Sequence, residues 1–231
     1  MLLTVDLTKL QIVKGQVLLD AGCGEGRHCE GALELGAKVV GFDLNSTVLT
    51  QAATRLLGKT NGSSFLKANA LTLPFTDESF DRIICSEVME HVENYKIAIK
   101  ELYRVIKPGG RIAVTIPTEP TELLYLALST DYFETPGGHI RIFKPRTLSL
   151  SLQKAGFIDI TVGFAHAFHS PYWALRCLVG LSSADQNKWV RLFRKLLLEA
   201  TRSLPAQRIE KLFNFIFPKS LVLYGRRRDS T

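Results

Sequence analysis

The sequence predicts a single α/β domain built on a doubly wound, mostly parallel sheet. Short apolar runs alternate along the 231 residues with stretches of helical periodicity, which is typical of strands joined by crossover helices. The first apolar run ends at Ala21 and is followed by glycines at positions 22, 24 and 26. The second run ends at Asp43. A glycine turn after one strand and an acid after the next predict a nucleotide-type site at the carboxyl edge of the sheet.

The first half of the chain shows the most regular alternation. Residues 1–15 are expected to form a short lead-in helix or loop. The elements that follow are strand 16–21, helix 27–35, strand 38–43, helix 46–57, strand 64–68, loop 71–79, strand 80–85, helix 94–106, turn 107–110 and strand 111–116. Gly36 and Gly58 are suited to end the first two helices, because glycine adopts the left-handed conformation that follows many helices. Asn45 or Ser46 is suited to cap the second helix.

The second half of the core is less regular. Residues 117–140 have no clear period and contain three prolines and two adjacent glycines, so we predict an active-site lid there. A helix is expected from Pro145 to residue 154, because proline is favoured at the first helical position. Strands are expected at 157–164 and 221–224, the latter followed by a basic tail at 226–228.

The segment between the last two strands is predicted to be a C-terminal helical insertion. It covers about 165–218 of a single 1–231 domain, whose core comprises about 15–165 and a last strand at 219–225. Two amphipathic helices are expected in it, at 184–201 and 205–217. The apolar residues of the first helix fall on one helical face: Trp189, Leu192, Phe193, Leu196, Leu197 and Ala200. Those of the second are expected to pack inward: Ile209, Leu212, Phe213 and Ile216.

The positive charge is concentrated in the last quarter of the chain. The protein has 29 Lys and Arg and 22 Asp and Glu, a formal net charge of +7. Residues 1–170 carry a net charge of −1 and residues 171–231 carry +8. The basic helix 184–202 is either a solvated face or a peripheral contact with an anionic membrane. Nucleic acid is the less favoured partner, because no RNA-binding module is visible.

Composition excludes several other classes of protein. Apolar residues make up 46% and charged residues 22%, as in ordinary globular proteins. No apolar run has transmembrane length and the N-terminal residues lack a signal-peptide pattern, which predicts a cytoplasmic protein. The four cysteines lack C-x-x-C spacing, so we predict reduced thiols rather than a disulfide framework or a zinc site. His166 and His169 are three residues apart without a visible third ligand, so no metal site is predicted.

Several motifs occur in the order found in one enzyme superfamily. They are the stretch from Asp20 to His28, the acid Asp43, the pair Asn69-Ala70, the segment from Phe80 to His91, and the turn Lys107-Pro108-Gly109-Gly110. On these motifs the chain resembles the class I S-adenosylmethionine-dependent methyltransferases, in particular the UbiE-like and type 11 methyltransferase domains. The resemblance covers about residues 15–165 and the last strand. It implies a Rossmann-like sheet of seven strands, the last of them antiparallel. Arg27 stands where the dinucleotide fingerprint requires a glycine, so that motif is not met.

The resemblance also implies which residues bind the cofactor, S-adenosyl-L-methionine. The glycine turn would approach its methionine and sugar portions, and Asp20 would anchor that turn. Asp43 would accept hydrogen bonds from the ribose or cap the next helix. Asn69 stands where the family usually has an acid, and it would contact adenine or serve as a turn residue. The expected set is Asp20, Gly22, Cys23, Gly24, Gly26, Arg27, Asp43, Leu44, Asn69, Ala70, Leu71, Ser86, Glu87 and Val88.

Two histidines are the candidate catalytic residues. His91 follows Glu87 by four residues, so one helical turn would put both on the same face, and the alternative is a structural histidine. His139 and Arg141 lie in a His-x-Arg-x-Phe run that is similar to the family pattern. His139 is expected to deprotonate or orient the acceptor, and Arg141 to hold an anionic group of the acceptor. The alternative for both is a hydrogen bond that fixes the loop.

The predicted reaction transfers a methyl group to an oxygen, nitrogen or carbon atom of a small molecule and leaves S-adenosyl-L-homocysteine. The apolar, aromatic and basic insertion favours a hydrophobic or lipid-like acceptor. A tRNA-modifying methyltransferase and a non-catalytic, S-adenosylmethionine-binding partner protein are the alternatives. The lack of an Asn-Pro-Pro-Tyr signature argues against a DNA adenine methylase.

Overall fold

A seven-stranded sheet forms the centre of the protein. The computed structural model describes residues 3–58, 62–129, 131, 138–201 and 203–230. The strands within these ranges are β1 Val17–Ala21, β2 Lys38–Asp43, β3 Ser63–Lys67, β4 Phe80–Ser86, β5 Ile106–Pro117, β6 Phe157–Ala165 and β7 Ser220–Arg227. Their order is β3-β2-β1-β4-β5-β7-β6, and β7 is antiparallel to both of its neighbours. The predicted doubly wound, mostly parallel, seven-stranded sheet is confirmed.

Helices cover both faces of this sheet. They are α1 Leu7–Leu10, α2 Arg27–Glu34, α3 Ser46–Leu56, α4 Tyr95–Val105, α5 Glu119–Leu128, α6 Pro145–Ala155, α7 His169–Val179, α8 Lys188–Ala200 and α9 Leu204–Phe213, with a 3-10 turn at Ala184–Gln186. Leu18 belongs to the apolar cluster of α1, α2 and α3, whereas Leu19 belongs to that of α4 and α6. Because successive strand residues point to opposite faces, the protein has one core on each side of the sheet.

The order of the strands reverses between β1 and β4. The strands β2 and β3 lie on one side of β1, and β4 and β5 lie on the other. Ala21 at the end of β1 pairs with Cys85 of β4, so the turns that leave these two strands are neighbours. The crevice at such a switch point is the usual ligand site of an open α/β sheet.

One prediction within the core is wrong, and the predicted lid stays a prediction. Residues 107–110 are part of β5 and not a separate turn. Phe80 pairs with Ile106 and Arg82 with Arg111, so β5 carries extra residues opposite β4. The lid expected at 117–140 contains the helix α5, which has a proline and two acids in its first turn. The segment 132–137, with Pro136 and Gly137 of the predicted lid, lies outside the described residues.

The insertion contains a helix that the periodicity does not predict. This helix, α7, packs against α5 through Cys177 and Tyr125. The helix expected at 184–201 is a 3-10 turn followed by α8, which begins where the Asn187 side chain accepts hydrogen bonds from two backbone N–H groups. The helix expected at 205–217 corresponds to α9, which ends at Phe213.

The apolar faces of α8 and α9 point mainly outward, which for α9 is contrary to the expectation. Val190 and Leu197 of α8 are buried, but Trp189 is 61% exposed. Leu212 of α9 is 70% exposed and Ile216 is 72% exposed. The other outward residues of the two expected faces are Leu192, Leu196, Ile209 and Phe213. The periodicity thus located an apolar stripe correctly but assigned it to the wrong side.

The remaining predictions on cysteines and charge have different outcomes. All four cysteines are buried free thiols, as expected. Arg226 and Arg227 lie in β7 and not in a tail, and they pair with Asp159 and Glu78. Among the described residues no helix combines the length and apolar character that crossing a bilayer requires.

Candidate active site

The turn after β1 has a left-handed backbone at three glycines. The φ angle is +69° at Gly22, +50° at Gly24 and +76° at Gly26. A Cβ at Gly22 would lie 2.4 Å from Cγ2 of Val88, and a Cβ at Gly26 would lie 3.2 Å from Cβ of Ala52. A Cβ at Gly24 would meet no atom of the described residues within 4 Å. Packing therefore requires glycine at 22 and 26, whereas Gly24 borders open space.

Asp43 joins the end of β2 to this turn. Its Oδ2 accepts a hydrogen bond from the Gly24 N–H at 3.0 Å, and its Oδ1 accepts one from the Asn45 N–H at 2.9 Å. The cap of α3 is Asn45, whose side chain accepts from the Thr47 N–H. The alternative that Asp43 caps this helix is therefore wrong. Each carboxylate oxygen keeps a further lone pair for a ligand hydroxyl.

Asp20 is buried at the end of β1, where it contacts α2. Its Oδ2 accepts a hydrogen bond from the Cys29 thiol at 3.1 Å, in place of the predicted anchor to the glycine turn. Its Oδ1 is buried and has no hydrogen-bond partner among the described residues. Burial raises the pKa of Asp20 to about 6. An unpartnered buried carboxylate oxygen is a natural acceptor for a donor group of a ligand.

The helix α2 brings a cation and a neutral histidine to the same turn. Arg27 is its first residue, directly after Gly26. His28 is buried, its Nε2 accepts a hydrogen bond from the Val5 N–H at 3.4 Å, and burial lowers its pKa to about 3. The free N–H groups at the start of a helix favour electron-rich ligand groups.

The residues expected beside an adenine ring form a tight turn after β3. Asn69 Oδ1 accepts a hydrogen bond from the Leu71 N–H at 2.9 Å, so the turn role of Asn69 is observed. Ala70 is buried, whereas Leu44, after β2, is 63% exposed. An exposed leucine next to Asp43 is suited to cover one face of a flat ring.

The turn after β4 contributes a hydrogen-bonded network. Ser86 Oγ lies 2.9 Å from Thr115 Oγ1, and the Thr115 hydroxyl donates to Glu87 Oε1 at 3.1 Å. Lys219 Nζ donates to Glu87 Oε2 at 3.0 Å. Val88 then packs under Gly22, so this network lies directly beside the glycine turn.

Two glutamates in this region, Glu90 buried and Glu87 partly buried, favour opposite protonation states. Burial acts to raise the pKa of Glu87, but Lys219 and the Thr115 hydroxyl outweigh burial and hold that pKa below its ordinary value. Burial and then the charge of Glu87 raise the pKa of Glu90 well above its ordinary value. Neither carboxyl oxygen of Glu90 has a hydrogen-bond partner among the described residues. Glu87 is thus held as a carboxylate, and Glu90 is driven toward the neutral acid.

His139 and Glu122 form a buried histidine–carboxylate pair. His139 Nδ1 lies 2.8 Å from Glu122 Oε2, and Glu122 is 1% exposed. The His91 ring packs edge-on against the His139 ring, with centroids 4.8 Å apart. An N–H at Nδ1 that is donated to Glu122 leaves Nε2 of His139 with a lone pair. The pair can therefore accept a proton at Nε2.

His91 lies at this site, but not on the predicted helical turn with Glu87. Residues 87–91 form no helix, because Glu87 has a left-handed φ of +56° and the His91 N–H bonds the Val88 carbonyl in a turn. His91 Nδ1 contacts the Gly138 carbonyl oxygen at 3.1 Å. The two candidate histidines are thus brought together, but not through one helix face.

Arg141 holds the loop after β4. Its guanidinium donates to the backbone carbonyls of Met89 and Glu93, at 3.3 and 2.7 Å, and to that of Val92. It also stacks over the Tyr95 ring, with 5.0 Å to the centroid. These contacts favour the loop-fixing alternative over a role in acceptor binding.

Glu122, Lys219 and Glu90 belong to this cluster, although no sequence pattern indicated them. Glu122 lies in α5, which covers the site, and the acids and proline of its first turn were the available signal of a helix there. Lys219 precedes β7 and meets Glu87 across 132 residues of chain. The antiparallel pairing of β7 with β5, and not any local pattern, makes that contact.

Comparisons with known proteins agree with this geometry. Residues 19–114 match the family model described as a methyltransferase domain. The chain is 37% identical over 109 residues to methyltransferase GfsG of Streptomyces halstedii, a match that covers 46% of this chain and 39% of that protein. It is 31% identical over 122 residues to a ubiquinone biosynthesis O-methyltransferase of Alkalilimnicola ehrlichii, covering 52% and 49%. The chain thus spans about half the length of such curated relatives, or less.

Solved structures share the fold over nearly the whole chain. A SAM dependent methyltransferase from Archaeoglobus fulgidus matches with a TM-score of 0.60 at 22% identity, covering 96% of this chain and 93% of that one. The [4+2]-cyclase SpnF matches with a TM-score of 0.65 at 20% identity, covering 96% and 79%. At these identities the likeness establishes the fold alone, and the two proteins are named for different reactions.

Proposed function

Because residues 19–114 carry a methyltransferase domain of the class I S-adenosylmethionine-dependent family, we propose that the protein methylates a small, hydrophobic or lipid-like acceptor. The methyl group would go to an oxygen, nitrogen or carbon atom, and S-adenosyl-L-homocysteine would be the product. The observation that carries the proposal is the open glycine turn at the β1/β4 switch point, with Asp43 bonded to it.

The residues at this edge suit the proposed cofactor. Gly24 leaves room for close approach, and the spare lone pairs of Asp43 would accept from ribose hydroxyls. The unpartnered Oδ1 of Asp20 would accept from the ammonium group of the methionine portion. When bound, the cofactor supplies a methyl group on a positively charged sulfur, open to in-line attack.

The chain itself would position the acceptor and remove a proton where the accepting atom carries one. His139 would accept that proton at Nε2, and Glu122 would hold the ring and stabilise the imidazolium that results. The Lys219–Glu87 pair fixes the floor of the site beside the glycine turn. Holding donor and acceptor in line supplies a large part of the rate without covalent chemistry.

Calorimetric titration with S-adenosyl-L-homocysteine, with NADH as the control ligand, tests the cofactor assignment. We expect micromolar binding that Asp43→Asn weakens at least tenfold, about 1.4 kcal/mol. The exposed Asp185, on the insertion, provides a control variant, Asp185→Asn, which should bind normally. Binding of NADH, or no effect of Asp43→Asn, would contradict the assignment.

We further propose that α8, α9 and residues 215–217 rest on an anionic membrane surface. This surface, termed the α8–α9 face, exposes Trp189, Leu192, Leu196, Leu198, Leu204, Ile209, Leu212, Phe213, Phe215, Ile216 and Phe217. Interspersed with them are the exposed cations Lys188, Arg191, Arg194, Lys195, Arg208 and Lys211. Within the described part of the chain none of these six cations forms an ion pair. Apolar side chains among unpaired cations match the charge and depth of an anionic lipid interface.

Sedimentation with lipid vesicles tests this surface. We expect binding to vesicles with anionic lipid, weaker binding to zwitterionic vesicles, and loss of binding in Leu212→Ser/Ile216→Ser. The matched control is Leu57→Ser, because Leu57 is 82% exposed but lies after α3. Equal binding of both variants would exclude the α8–α9 face, and self-association without vesicle binding would assign it to a second copy of the chain.

The alternative functions predict different results in the same assays. A tRNA-modifying enzyme would bind tRNA with an affinity that falls steeply with salt. A non-catalytic binding protein would bind S-adenosyl-L-homocysteine but transfer no labelled methyl group to any lipid or tRNA fraction. Transfer to a lipid-soluble compound supports the proposed function over both.

A further inference from the structure

Three potential metal ligands meet where the insertion joins the core. His166 directly follows β6, His169 is the first residue of α7, and Glu210 lies in α9. One ligand atom from each side chain lies within 4.8 Å of the other two. His166 is 7% exposed and Glu210 is 5% exposed, whereas His169 is partly exposed. It lies outside the methyl-transfer machinery proposed above and does not depend on that proposal.

One ligand atom in this cluster is unsatisfied. His169 Nδ1 is buried and has no hydrogen-bond partner among the described residues, whereas Glu210 Oε1 accepts a hydrogen bond from the Phe168 N–H at 3.3 Å. The nearest carboxylate oxygen, Oε1 of Glu210, is 3.9 Å away, which is too long for a hydrogen bond. An unpartnered nitrogen facing a buried carboxylate across this gap indicates space for a bridging ion.

His166 is held in the orientation of a ligand by a second contact. Its Nε2 lies 3.0 Å from the Thr4 hydroxyl oxygen. An N–H at Nε2 donated to that hydroxyl would leave the lone pair on Nδ1, as is usual for metal-bound histidines. The backbone of His166 has a left-handed φ of +66°, which costs energy in a residue with a side chain. Such strain persists where the surrounding contacts require one side-chain position.

We propose that His166, His169 and Glu210 bind a divalent transition-metal ion. The chemistry of the donor atoms favours zinc. Two imidazoles and one carboxylate are a common protein donor set for zinc, with a water molecule as the fourth ligand. Tetrahedral zinc would require a distance of about 3.4 Å between Nδ1 of His169 and Oε1 of Glu210. This distance is about half an ångström shorter than the observed 3.9 Å. The fourth position can be hydrated, because His166 and Glu210 line a cavity of about 790 Å³.

The donor atoms, and not the surrounding charges, select against harder cations. Arg27 and Lys219 both act on the two histidines, and they oppose any dication at the cluster. Calcium and magnesium prefer several oxygen ligands, which this cluster does not supply. Imidazole nitrogen donors favour zinc and its neighbours in the transition series. The two histidines would therefore supply most of the affinity for the metal.

A zinc ion here would join three parts of the chain. It would connect the end of β6, the start of α7 and the middle of α9, and through Thr4 it would reach the N-terminal segment. We therefore expect the metal to stabilise the docking of α9, and with it the α8–α9 face, onto the core.

Titration of the chelator-treated full chain with ZnCl₂ tests the site, with MgCl₂ as the control. We expect one zinc ion per chain with a Kd below about 1 μM, no response to magnesium, and a rise in Tm with zinc. His169→Gln and Glu210→Gln should each weaken zinc binding at least 100-fold. Thr4→Val should weaken it by about 10–100-fold, because it removes only the partner of His166.

A second cluster provides the competing location. One ligand atom from each of Glu90, His91 and His139 also lies within 4.8 Å of the other two. Because His91 belongs to this second cluster and not to the proposed zinc site, His91→Asn is the matched control and should bind zinc normally. Visible absorption of the Co²⁺-loaded protein reports tetrahedral coordination, even if a zinc-site variant is less stable. No zinc binding by the unaltered protein, undiminished binding in His169→Gln, or loss confined to His91→Asn would overturn the proposal.

Discussion

Replacing Gly24 with alanine isolates the part of the glycine turn that faces the proposed cofactor. The φ of Gly24 is +50° and a Cβ there would meet no described atom within 4 Å. The cost to folding is therefore left-handed strain alone, about 1 kcal/mol. In a chain of this size, that cost lowers Tm by about 2–4 °C. The new methyl group would occupy cofactor space, so we expect the affinity for S-adenosyl-L-homocysteine to fall at least tenfold, about 1.4 kcal/mol.

Gly15 supplies the matched control for this variant. Its φ is +88°, and a Cβ there also would meet no described atom within 4 Å. Because Gly15 precedes β1 and Gly24 follows it, the two positions lie at opposite ends of one strand. Gly15→Ala should lower Tm by a similar or larger amount and leave the affinity unchanged. Calorimetric titration and thermal denaturation of both variants measure this. Equal affinity losses, or none in Gly24→Ala, would refute the placement of the cofactor against Gly24.

Three further predictions concern charged groups of the site. Asp20→Asn should stabilise the protein at pH 8 by up to about 3 kcal/mol, because the pKa of the Asp20 carboxyl is about 6 in the folded state and 3.8 ordinarily. Urea denaturation should show that this gain largely disappears at pH 3.5, where Asp20 is mostly protonated in both the folded and the unfolded state. Lys219→Met should cost about 1–3 kcal/mol at pH 8, because the partly buried Glu87 would lose its cation. That loss should shrink as the pH falls below 4.5, the ordinary pKa of the group, and a constant loss would contradict the pairing. His139→Gln should lower kcat by about 10²–10⁴-fold without changing cofactor affinity. An unchanged kcat would remove His139 from proton transfer.

Features that one residue type determines locally were predictable from sequence. Gly36 and Gly156 follow helices with φ of +83° and +111°, as expected of glycines at helix ends. Asn45 caps α3 through its side chain. Asp43 lies at the same edge of the sheet as the glycine turn, as the spacing implied, and the structure adds its hydrogen bond from the Gly24 N–H. In each case the preference belongs to the residue and its near neighbours.

The expectation for His91 failed because one backbone angle broke the local pattern. A spacing of four residues places side chains together only within a helix. The left-handed φ at Glu87 turns the chain out of β4 and prevents that helix. His91 instead contacts Gly138 and the His139 ring, at the end of the predicted lid 117–140.

Partners that are distant in the sequence could not be predicted from periodicity. Glu122 pairs with His139 because α5 folds over the site, and α5 lay in a stretch without an apolar period. Glu210 meets His169 from another helix, 41 residues further along the chain. Such pairings depend on how whole elements pack, and the sequence around either partner carries no record of the other.

The sequence was sufficient to predict the alternation of strands and helices, the glycine turn, the acid after the second strand and the family that residues 19–114 match, because short-range backbone preferences and motif spacing encode them. The order of the strands within the sheet was not predicted. Periodicity also located the apolar stripes of α8 and α9, but a period does not say whether a stripe meets the core or the outside. Only the tertiary structure decided that these stripes are largely exposed, that Lys219 neutralises Glu87, and that three potential metal ligands converge beside α7. These outcomes depend on burial summed over the whole domain, so no single segment of the chain determines them.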